Sequence, residues 1–381
     1  MKPFNVYPLQ NITPVKAKGS WLWDTNSEKY LDLYGGHAVI SIGHSHPHYV
    51  QKITEQLQNI AFYSNSVINP LQEELAQKLG DISGYTDYNL FLCNSGAEAN
   101  ENALKLASFY NGRKKVIAFS KSFHGRTSLA VAATNDTSIQ ANINSHEVIF
   151  VELNNEDAFV EAMDESVCAV IIEGIQGVAG IQIPENSFLQ LIEQKCKEFD
   201  AVFIADEVQS GYGRTGKFFA HQHADVKPDL ITVAKGMGNG FPIAGVLIHP
   251  KFKAKYGLLG TTFGGNHLAC AAAIAVLDVI KDEQLIEKAN ATGEKWMNEL
   301  KQIDGIKEVR GKGLMIGIEF DFPIAELKNT LTKENHILVG TASNKNVIRL
   351  LPALNVKQTE IDLFNNALQQ SLSKQLQTTN N

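Results

Sequence analysis

The runs AVFIAD (201–206) and DLITVAK (229–235) decide the fold class of this chain. Each is a short apolar run that ends in a polar residue, Asp206 in the first and Lys235 in the second, as is typical of strands buried in a parallel sheet. Ligands of open α/β sheets bind at the carboxyl ends of the strands, so we expect both side chains in one crevice. Either residue alone would be interpreted as a helix cap or a solvated charge.

Similar apolar runs alternate with helical or turn-rich stretches, at 89–93, 115–119, 147–151, 167–172 and 243–248. The alternation predicts an α/β fold in which a mainly parallel sheet is covered by helices on both faces. After residue 265 the pattern changes to long helices, strands near 306–320 and 346–350, and a final helix from about 358. We interpret this part as a second, smaller α+β domain.

An acid and a lysine in one crevice suit pyridoxal 5'-phosphate (PLP). A lysine amine condenses with an aldehyde, and a carboxylate keeps a pyridine nitrogen protonated, which are the protein's contributions to PLP chemistry. The run NSGAEAN (94–100) follows a predicted strand and begins a helix, so Ser95, Gly96 and Ala97 can form an anion site for a phosphate. Alone, this run is equally an ordinary helix cap.

The run SFHGRT (122–127) adds two further candidates. Phe123 offers a flat face on which a pyridine ring can stack, although core packing is the ordinary role of such a residue. Arg126 offers a bidentate partner for a substrate carboxylate.

Several long motifs occur in the order found in class III, ω-amino-group, PLP-dependent aminotransferases. They are NSGAEANE, SFHGRT, EGIQG (173–177), DEVQSGYGRTGKFFA (206–220), AKGMGNGFPIA (234–244), TTFGGNHLAC (261–270) and IRLLPAL (348–354). The chain resembles acetylornithine and succinylornithine aminotransferases most, and the resemblance extends to GSWLWDTNSEKYLDLYGGHAVISIGHSHP (19–47). It implies fold type I, with a large domain at 46–265 and a small domain formed by 1–45 and 266–381.

The resemblance also implies roles around the cofactor. Lys235 would hold PLP and move the substrate proton, with Asp206 on the pyridine nitrogen. Gln209 would bond the phenolic oxygen, and Val208 and Phe123 would cover the two ring faces. Thr262 would reach the phosphate from the neighbouring subunit, which implies a homodimer with shared active sites.

The implied reaction transfers the terminal amine of an N-acylated ornithine to 2-oxoglutarate, giving an acylglutamate semialdehyde and glutamate. Arg126 would bind the donor's α-carboxylate, and Arg349 that of 2-oxoglutarate. Gly36 would leave space for the acyl group where ornithine aminotransferases have a tyrosine, and Tyr7 is a further possible carboxylate contact.

One motif departs from the family pattern, EPxQGEGG, which is EGIQGVAG here. Val178 replaces the glutamate that neutralises Arg349 while the amine donor is bound, although Glu173 is retained. An ornithine or 4-aminobutyrate type aminotransferase, or an aminomutase-like enzyme, therefore stays open. A binding protein that has lost catalysis is also open, although Lys235, Asp206 and both arginines argue against it.

Composition argues against other classes of function. The net charge is −7 and no Lys/Arg run stands out, which disfavours nucleic-acid binding. No apolar run reaches the length of a membrane helix, the start lacks the order of a secretory signal, and the four cysteines are scattered. We therefore expect a cytoplasmic protein without membrane contact. GHSHPH (43–48) is interpreted as a structural loop and not a metal site, because His44, His46 and His48 alternate around Pro47.

Overall fold

The computed structural model describes residues 1–379, with side chains as far as Lys374. The chain begins with an antiparallel meander of β1 (Pro14–Lys18), β2 (Trp21–Asp24) and β3 (Lys29–Asp32). A four-residue turn, α1 (Gly35–Ala38), follows, and its residues have φ between 56° and 68°. This left-handed conformation is costly for residues other than glycine, so His37 and Ala38 are held there by their surroundings.

The large sheet contains the seven strands that the apolar runs predict. Its elements, in chain order with the helices between them, are α2 (Pro47–Asn59), α3 (Pro70–Ser83), β4 (Asn89–Cys93), α4 (Gly96–Asn111), β5 (Lys115–Phe119), α5 (Ser128–Ala132), β6 (Val148–Val151), α6 (Glu156–Ala162), β7 (Val167–Glu173), α7 (Asn186–Glu198), β8 (Val202–Asp206), β9 (Leu230–Val233) and β10 (Ala244–Ile248). The spatial order is β4-β10-β9-β8-β7-β5-β6.

The large sheet is mainly parallel, as predicted. The pairs from β6 to β9 are parallel, whereas β10 runs antiparallel to both β9 and β4. Successive strand residues pack on opposite faces: Ile171 joins the cluster under α4, and Val170 joins the cluster under α6 and α7. Both faces are therefore covered by helices, which is why these strands are continuous apolar runs.

The C-terminal part contains α8 (His267–Asp282), α9 (Leu285–Leu300), β11 (Glu308–Lys312), β12 (Met315–Glu319), α10 (Ala325–Lys333), β13 (Ile337–Leu338), β14 (Gly340–Thr341), β15 (Val347–Leu350) and α11 (Gln358–Thr379). Strand β13 extends the N-terminal meander through a parallel pairing with β3. The other four strands form a separate antiparallel sheet in the order β11-β12-β15-β14.

The N-terminal and C-terminal segments thus share one sheet, in agreement with their assignment to one small domain. The largest apolar cluster, however, includes Leu31, Leu247 and Trp296 and crosses both predicted boundaries. The division into 46–265 and 1–45 with 266–381 therefore stays a prediction. In the described part of the chain, none of the helices is both long and apolar enough to cross a membrane.

Candidate active site

The parallel strands bring the candidate residues to one edge of the large sheet. Glu173 at the end of β7 is paired with Asp206 at the end of β8, and Asp206 is paired with Thr232 in β9. Lys235 follows β9 directly and begins a short 3₁₀ turn. A cleft of about 450 Å³ opens at this edge. Nine of the predicted residues line it: Ser95, Gly96, Ala97, Phe123, Arg126, Asp206, Val208, Gln209 and Lys235.

Asp206 is only 4 % exposed and accepts three hydrogen bonds. Its Oδ2 accepts from Asn100 Nδ2 and His124 Nδ1, both at 2.7 Å, and its Oδ1 accepts from the Val208 N–H at 3.0 Å. Thr232 in turn donates to Asn100 Oδ1 at 2.7 Å, which fixes the amide orientation. This network fills three of the four acceptor sites of the buried carboxylate and leaves one lone-pair site for a ligand.

Asn100 and His124 are functional residues that the sequence reasoning missed. Asn100 lies one turn after the predicted anion site on the same helix, and His124 lies between Phe123 and Arg126. The spacing of Asn100 from Gly96 was a signal that could have identified it, because residues four apart share a helix face.

Lys235 is partly buried in the cleft and has a left-handed backbone with φ 43°. Burial lowers the pKa of its amine, while the nearby acids Asp206 and Glu173 act in the opposite direction. A lower pKa makes the free amine more available as a nucleophile and base. The strained backbone is common at functional sites.

The predicted anion site is the N-terminus of α4. Ser95 caps the helix by accepting from the Glu98 N–H at 3.2 Å, so the ordinary capping interpretation is confirmed. The N–H groups of Gly96 and Ala97 are among those that a helix cannot satisfy itself. A Cβ on Gly96 would lie 2.6 Å from Val208 Cγ1, so only glycine fits where the two segments meet. The cap therefore does not prevent these N–H groups from binding an anion, and the anion site stays a prediction.

The cleft also contains Glu173, a buried acid with a raised pKa. Glu173 accepts from the N–H groups of Phe123 and Gly177, both at 3.0 Å. Burial raises its pKa to about 7, and the Asp206 charge acts in the same direction. Phe123 is thereby held in the cleft wall through its backbone.

The two arginines occupy different places. Arg126 lines the cleft and is exposed, whereas Arg349 in β15 is 4 % exposed. Arg349 donates to neutral oxygens of Thr341, Gln209 and Tyr34. Burial lowers the pKa of Arg349, partly offset by Glu173. Gln209 connects Arg349 to the cleft, because it lines the cleft and accepts from Arg349 Nη1 at 3.3 Å.

Besides Arg349, three predicted residues do not line the cleft of a single chain. Gly36 lines an adjoining cavity of about 580 Å³ together with Tyr34 and His37. Tyr7 is 73 % exposed. Thr262 is exposed, while its neighbour Thr261 accepts from Asn94 at 3.2 Å. Their roles stay predictions.

The histidines of GHSHPH do not converge. His44 bonds Asp32, His46 bonds Glu283 and His48 bonds Asp278, each through Nε2. Across the described residues, no group of histidine, cysteine and acid side chains could hold a metal ion.

The remaining arrangement fits PLP. The N–H groups at the start of α4 suit a phosphate, the buried Asp206 has a free acceptor site for a pyridine nitrogen, and Lys235 supplies an amine. Val208 and Phe123 line the same cleft and can enclose a flat ring. When bound, PLP supplies a ring that accepts electrons from the substrate carbon.

Comparisons with known proteins agree with this chemistry. The family model described as Aminotransferase class-III matches residues 5–372. The acetylornithine aminotransferase of Bacillus subtilis is 39 % identical over 384 residues, with 97 % of each chain covered. That of Archaeoglobus fulgidus is 39 % identical over 360 residues, covering 93 % of this chain and 94 % of the relative.

Two solved structures show the same fold. Acetylornithine aminotransferase from Elizabethkingia anophelis has a TM-score of 0.86 at 32 % identity, covering 97 % of this chain and 96 % of its own. Ornithine aminotransferase from Toxoplasma gondii has a TM-score of 0.92 at 28 % identity, covering 98 % of this chain and 93 % of its own. With the family model matched over nearly its whole length, the chain belongs to the class III aminotransferases, which are PLP-dependent enzymes.

Proposed function

We propose that this enzyme transfers the terminal amine of an N-acylated ornithine, acetylornithine or succinylornithine, to 2-oxoglutarate, and that it acts in arginine metabolism. The products are the acylglutamate semialdehyde and glutamate. The observation that carries the proposal is the pair of arginines, because a dicarboxylate acceptor needs two cationic partners. The names of the relatives from Bacillus subtilis and Archaeoglobus fulgidus support the choice of donor.

Arg349 is suited to a carboxylate because its present partners are neutral. Its guanidinium donates to a carbonyl, an amide oxygen and a phenol, so its charge is not balanced by direct contact. Arg126 is exposed in the cleft wall and can bind either the distal carboxylate of 2-oxoglutarate or the α-carboxylate of the donor. The same two cations can thus serve both half-reactions.

The roles of the other residues follow from their surroundings. Lys235, with its lowered pKa, accepts the proton from the substrate carbon and returns it. Asp206, fixed by Asn100 and His124, holds a proton on the ring nitrogen. The left-handed turn at Gly36 opens toward the adjoining cavity, which supports the proposed space for the acyl group.

A donor comparison tests this proposal. We expect kcat/KM with 2-oxoglutarate to be highest for acetylornithine or succinylornithine and at least about tenfold lower for ornithine and 4-aminobutyrate. A preference for ornithine or 4-aminobutyrate would instead identify the enzyme as an ornithine or 4-aminobutyrate type aminotransferase. The ratio of the two acylated donors identifies the acyl group.

We further propose a homodimer with shared active sites, in which Thr262 of one chain completes the phosphate site of its partner. Thr262 is exposed, and the exposed apolar side chains of Phe62, Ile68 and Phe263 lie in the surrounding segments. Large exposed apolar patches mark association surfaces. The four cysteines are free and buried, which suits the reducing cytoplasm proposed as its location.

Mixed dimers distinguish shared from separate sites. If Thr262 acts on the partner, combining Lys235→Ala chains with Thr262→Ala chains creates one intact site in each hybrid. We expect the mixture, after dissociation and reassociation, to recover activity that neither variant has alone. A mixture no more active than the average of the two variants would contradict the shared site.

A further inference from the structure

Tyr34 and His37 lie beside Arg349, and the proposed mechanism uses neither of them. Arg349 Nη2 donates to the Tyr34 hydroxyl at 3.2 Å, and that hydroxyl bonds His37 Nδ1. The guanidinium carbon also lies 5.7 Å from the centre of the Tyr34 ring. The three side chains therefore form one connected group beside the cleft.

Tyr34 and His37 are both neutral in this group. Burial raises the pKa of Tyr34, although Arg349 acts in the opposite direction, so the phenol is neutral. Burial and the cations Arg349 and Lys235 lower the pKa of His37, so the imidazole is neutral as well. Arg349 donates to the Tyr34 oxygen, and with the imidazole proton on Nε2 the Tyr34 hydroxyl donates to His37 Nδ1.

The backbone holds both members of the pair in place. Asp32 Oδ1 accepts from the N–H groups of Tyr34 at 3.0 Å and Gly35 at 2.8 Å, just before the left-handed turn. The Tyr34 ring lies so close to Gly340 that a Cβ there would overlap it. Gly340 is paired with Arg349 across the β14–β15 ladder. The tyrosine is thus fixed against the same strand pair that carries the arginine.

Position 178 supplies no carboxylate in this chain, because it is a valine. Val178 lines the cleft, and its carbonyl is pinned by the N–H and hydroxyl of Ser343, at 2.9 and 3.1 Å. Glu173 raises the pKa of Arg349, but both of its carboxyl oxygens accept hydrogen bonds from backbone N–H groups. The Tyr34 hydroxyl occupies Nη2 of Arg349, while Gln209 and Thr341 accept from the other two nitrogens.

We propose that Tyr34, held by His37, is the specificity-determining cap of Arg349. The cap covers one guanidinium nitrogen while the acylated donor is bound, and the α-carboxylate of 2-oxoglutarate or glutamate must displace it. This inference rests on the proposed function, in which Arg349 binds that carboxylate. A neutral phenol binds a guanidinium less strongly than a carboxylate does, so this cap opposes dicarboxylates without excluding them.

The test uses glutarate, a dicarboxylate that cannot react, and measures its binding to the PLP-loaded enzyme by calorimetry. Tyr34→Phe keeps the ring over Arg349 and removes only the hydroxyl. We expect glutarate to bind about three- to tenfold more tightly, the range that one neutral hydrogen bond represents. The ratio of kcat/KM for glutamate to that for the acylated donor should rise by a similar factor.

Two variants at His37 separate capping from general damage. Asparagine tolerates the left-handed backbone and offers an acceptor, so His37→Asn should bind glutarate as the parent enzyme does. Glycine also tolerates this backbone but offers no acceptor, so His37→Gly should tighten binding in the direction of Tyr34→Phe. His37→Gly also tests the proposal if Tyr34→Phe folds poorly.

Weaker or unchanged glutarate binding in Tyr34→Phe and His37→Gly would overturn the proposal. If the hydroxyl only positioned Arg349 for its ligand, its removal would not strengthen glutarate binding. Glutarate binding involves no amine donor, so this result is independent of which donor the enzyme uses. Arg349→Met provides the reference: it should abolish the effect of Tyr34→Phe, and an effect that persists would also overturn the proposal.

Discussion

Replacement of Asp206 by asparagine should reduce kcat by at least about 100-fold while PLP stays bound. In the native site, Oδ2 accepts from two donors and Oδ1 from a third. An asparagine in either orientation turns an N–H group toward at least one of these donors. The bond from the ring nitrogen to the carboxylate would also be lost; one charge-assisted hydrogen bond is worth about 1.5–3 kcal/mol, which corresponds to about 10- to 100-fold in rate where the bond strengthens in the transition state.

The loss of the charge also acts on the chemistry of the ring. A neutral amide cannot keep the ring nitrogen protonated, and the missing charge matters more as electrons flow toward the ring in the transition state. Initial rates at saturating donor and 2-oxoglutarate, normalised to PLP content, measure the change. Because only kcat is compared, differences in substrate affinity do not enter.

Asn100→Ala is the matched control. It removes one of the same hydrogen bonds but keeps the carboxylate that faces the ring nitrogen. Because a bond made equally in the ground and transition states does not change kcat, we expect kcat to fall by no more than about tenfold. If Asp206→Asn binds PLP and retains kcat within about tenfold of the parent enzyme, Asp206 is a structural residue and the reasoning is refuted.

Further predictions concern other residues of the cleft. Lys235→Ala should abolish turnover while PLP still binds through its phosphate, and borohydride reduction of the parent enzyme should leave PLP on the peptide that contains Lys235; a different labelled lysine would contradict the site. Val178→Glu should lower kcat/KM for glutamate relative to the acylated ornithine by up to about tenfold, the equivalent of roughly 1.4 kcal/mol of ion pairing; an unchanged ratio would assign control of Arg349 to other residues. For Glu173, a pKa raised to about 7 in the fold means that the folded state holds a proton that the unfolded chain loses near pH 4.5. Its contribution to stability is therefore present below pH 4.5 and is lost as the pH rises to about 7, so the melting temperature of the parent enzyme should fall relative to Glu173→Gln between pH 5 and pH 8, and parallel profiles would contradict the raised pKa.

The sequence predicted the large sheet well because its strands are buried on both faces. Strands β4 and β5 have the predicted limits, and the ends of the others differ by a residue or so. The antiparallel direction of β10 was not predictable from its composition, because AGVLI is as completely apolar as its parallel neighbours. The short β13 and β14 carry too few residues for any periodicity.

The sequence predicted those cleft residues that lie at the ends of strands, such as Asp206 and Lys235. It did not predict those whose role depends on tertiary contact. His124 contacts Asp206 from 82 positions away, and Tyr34 contacts Arg349 from 315 positions away. The left-handed backbone at His37 could not be predicted either, because a positive φ is uncommon in residues other than glycine.

The nitrogen that is transferred tests the central claim most directly. The enzyme is incubated with 2-oxoglutarate and acetylornithine or succinylornithine that carries ¹⁵N only on the terminal amine, and the products are analysed by mass spectrometry. We predict that the label appears in glutamate and that the acylated product is the semialdehyde. Unlabelled glutamate, or no transfer from either donor while another amine is consumed, would contradict the assignment of this enzyme as an ω-aminotransferase of acylated ornithine.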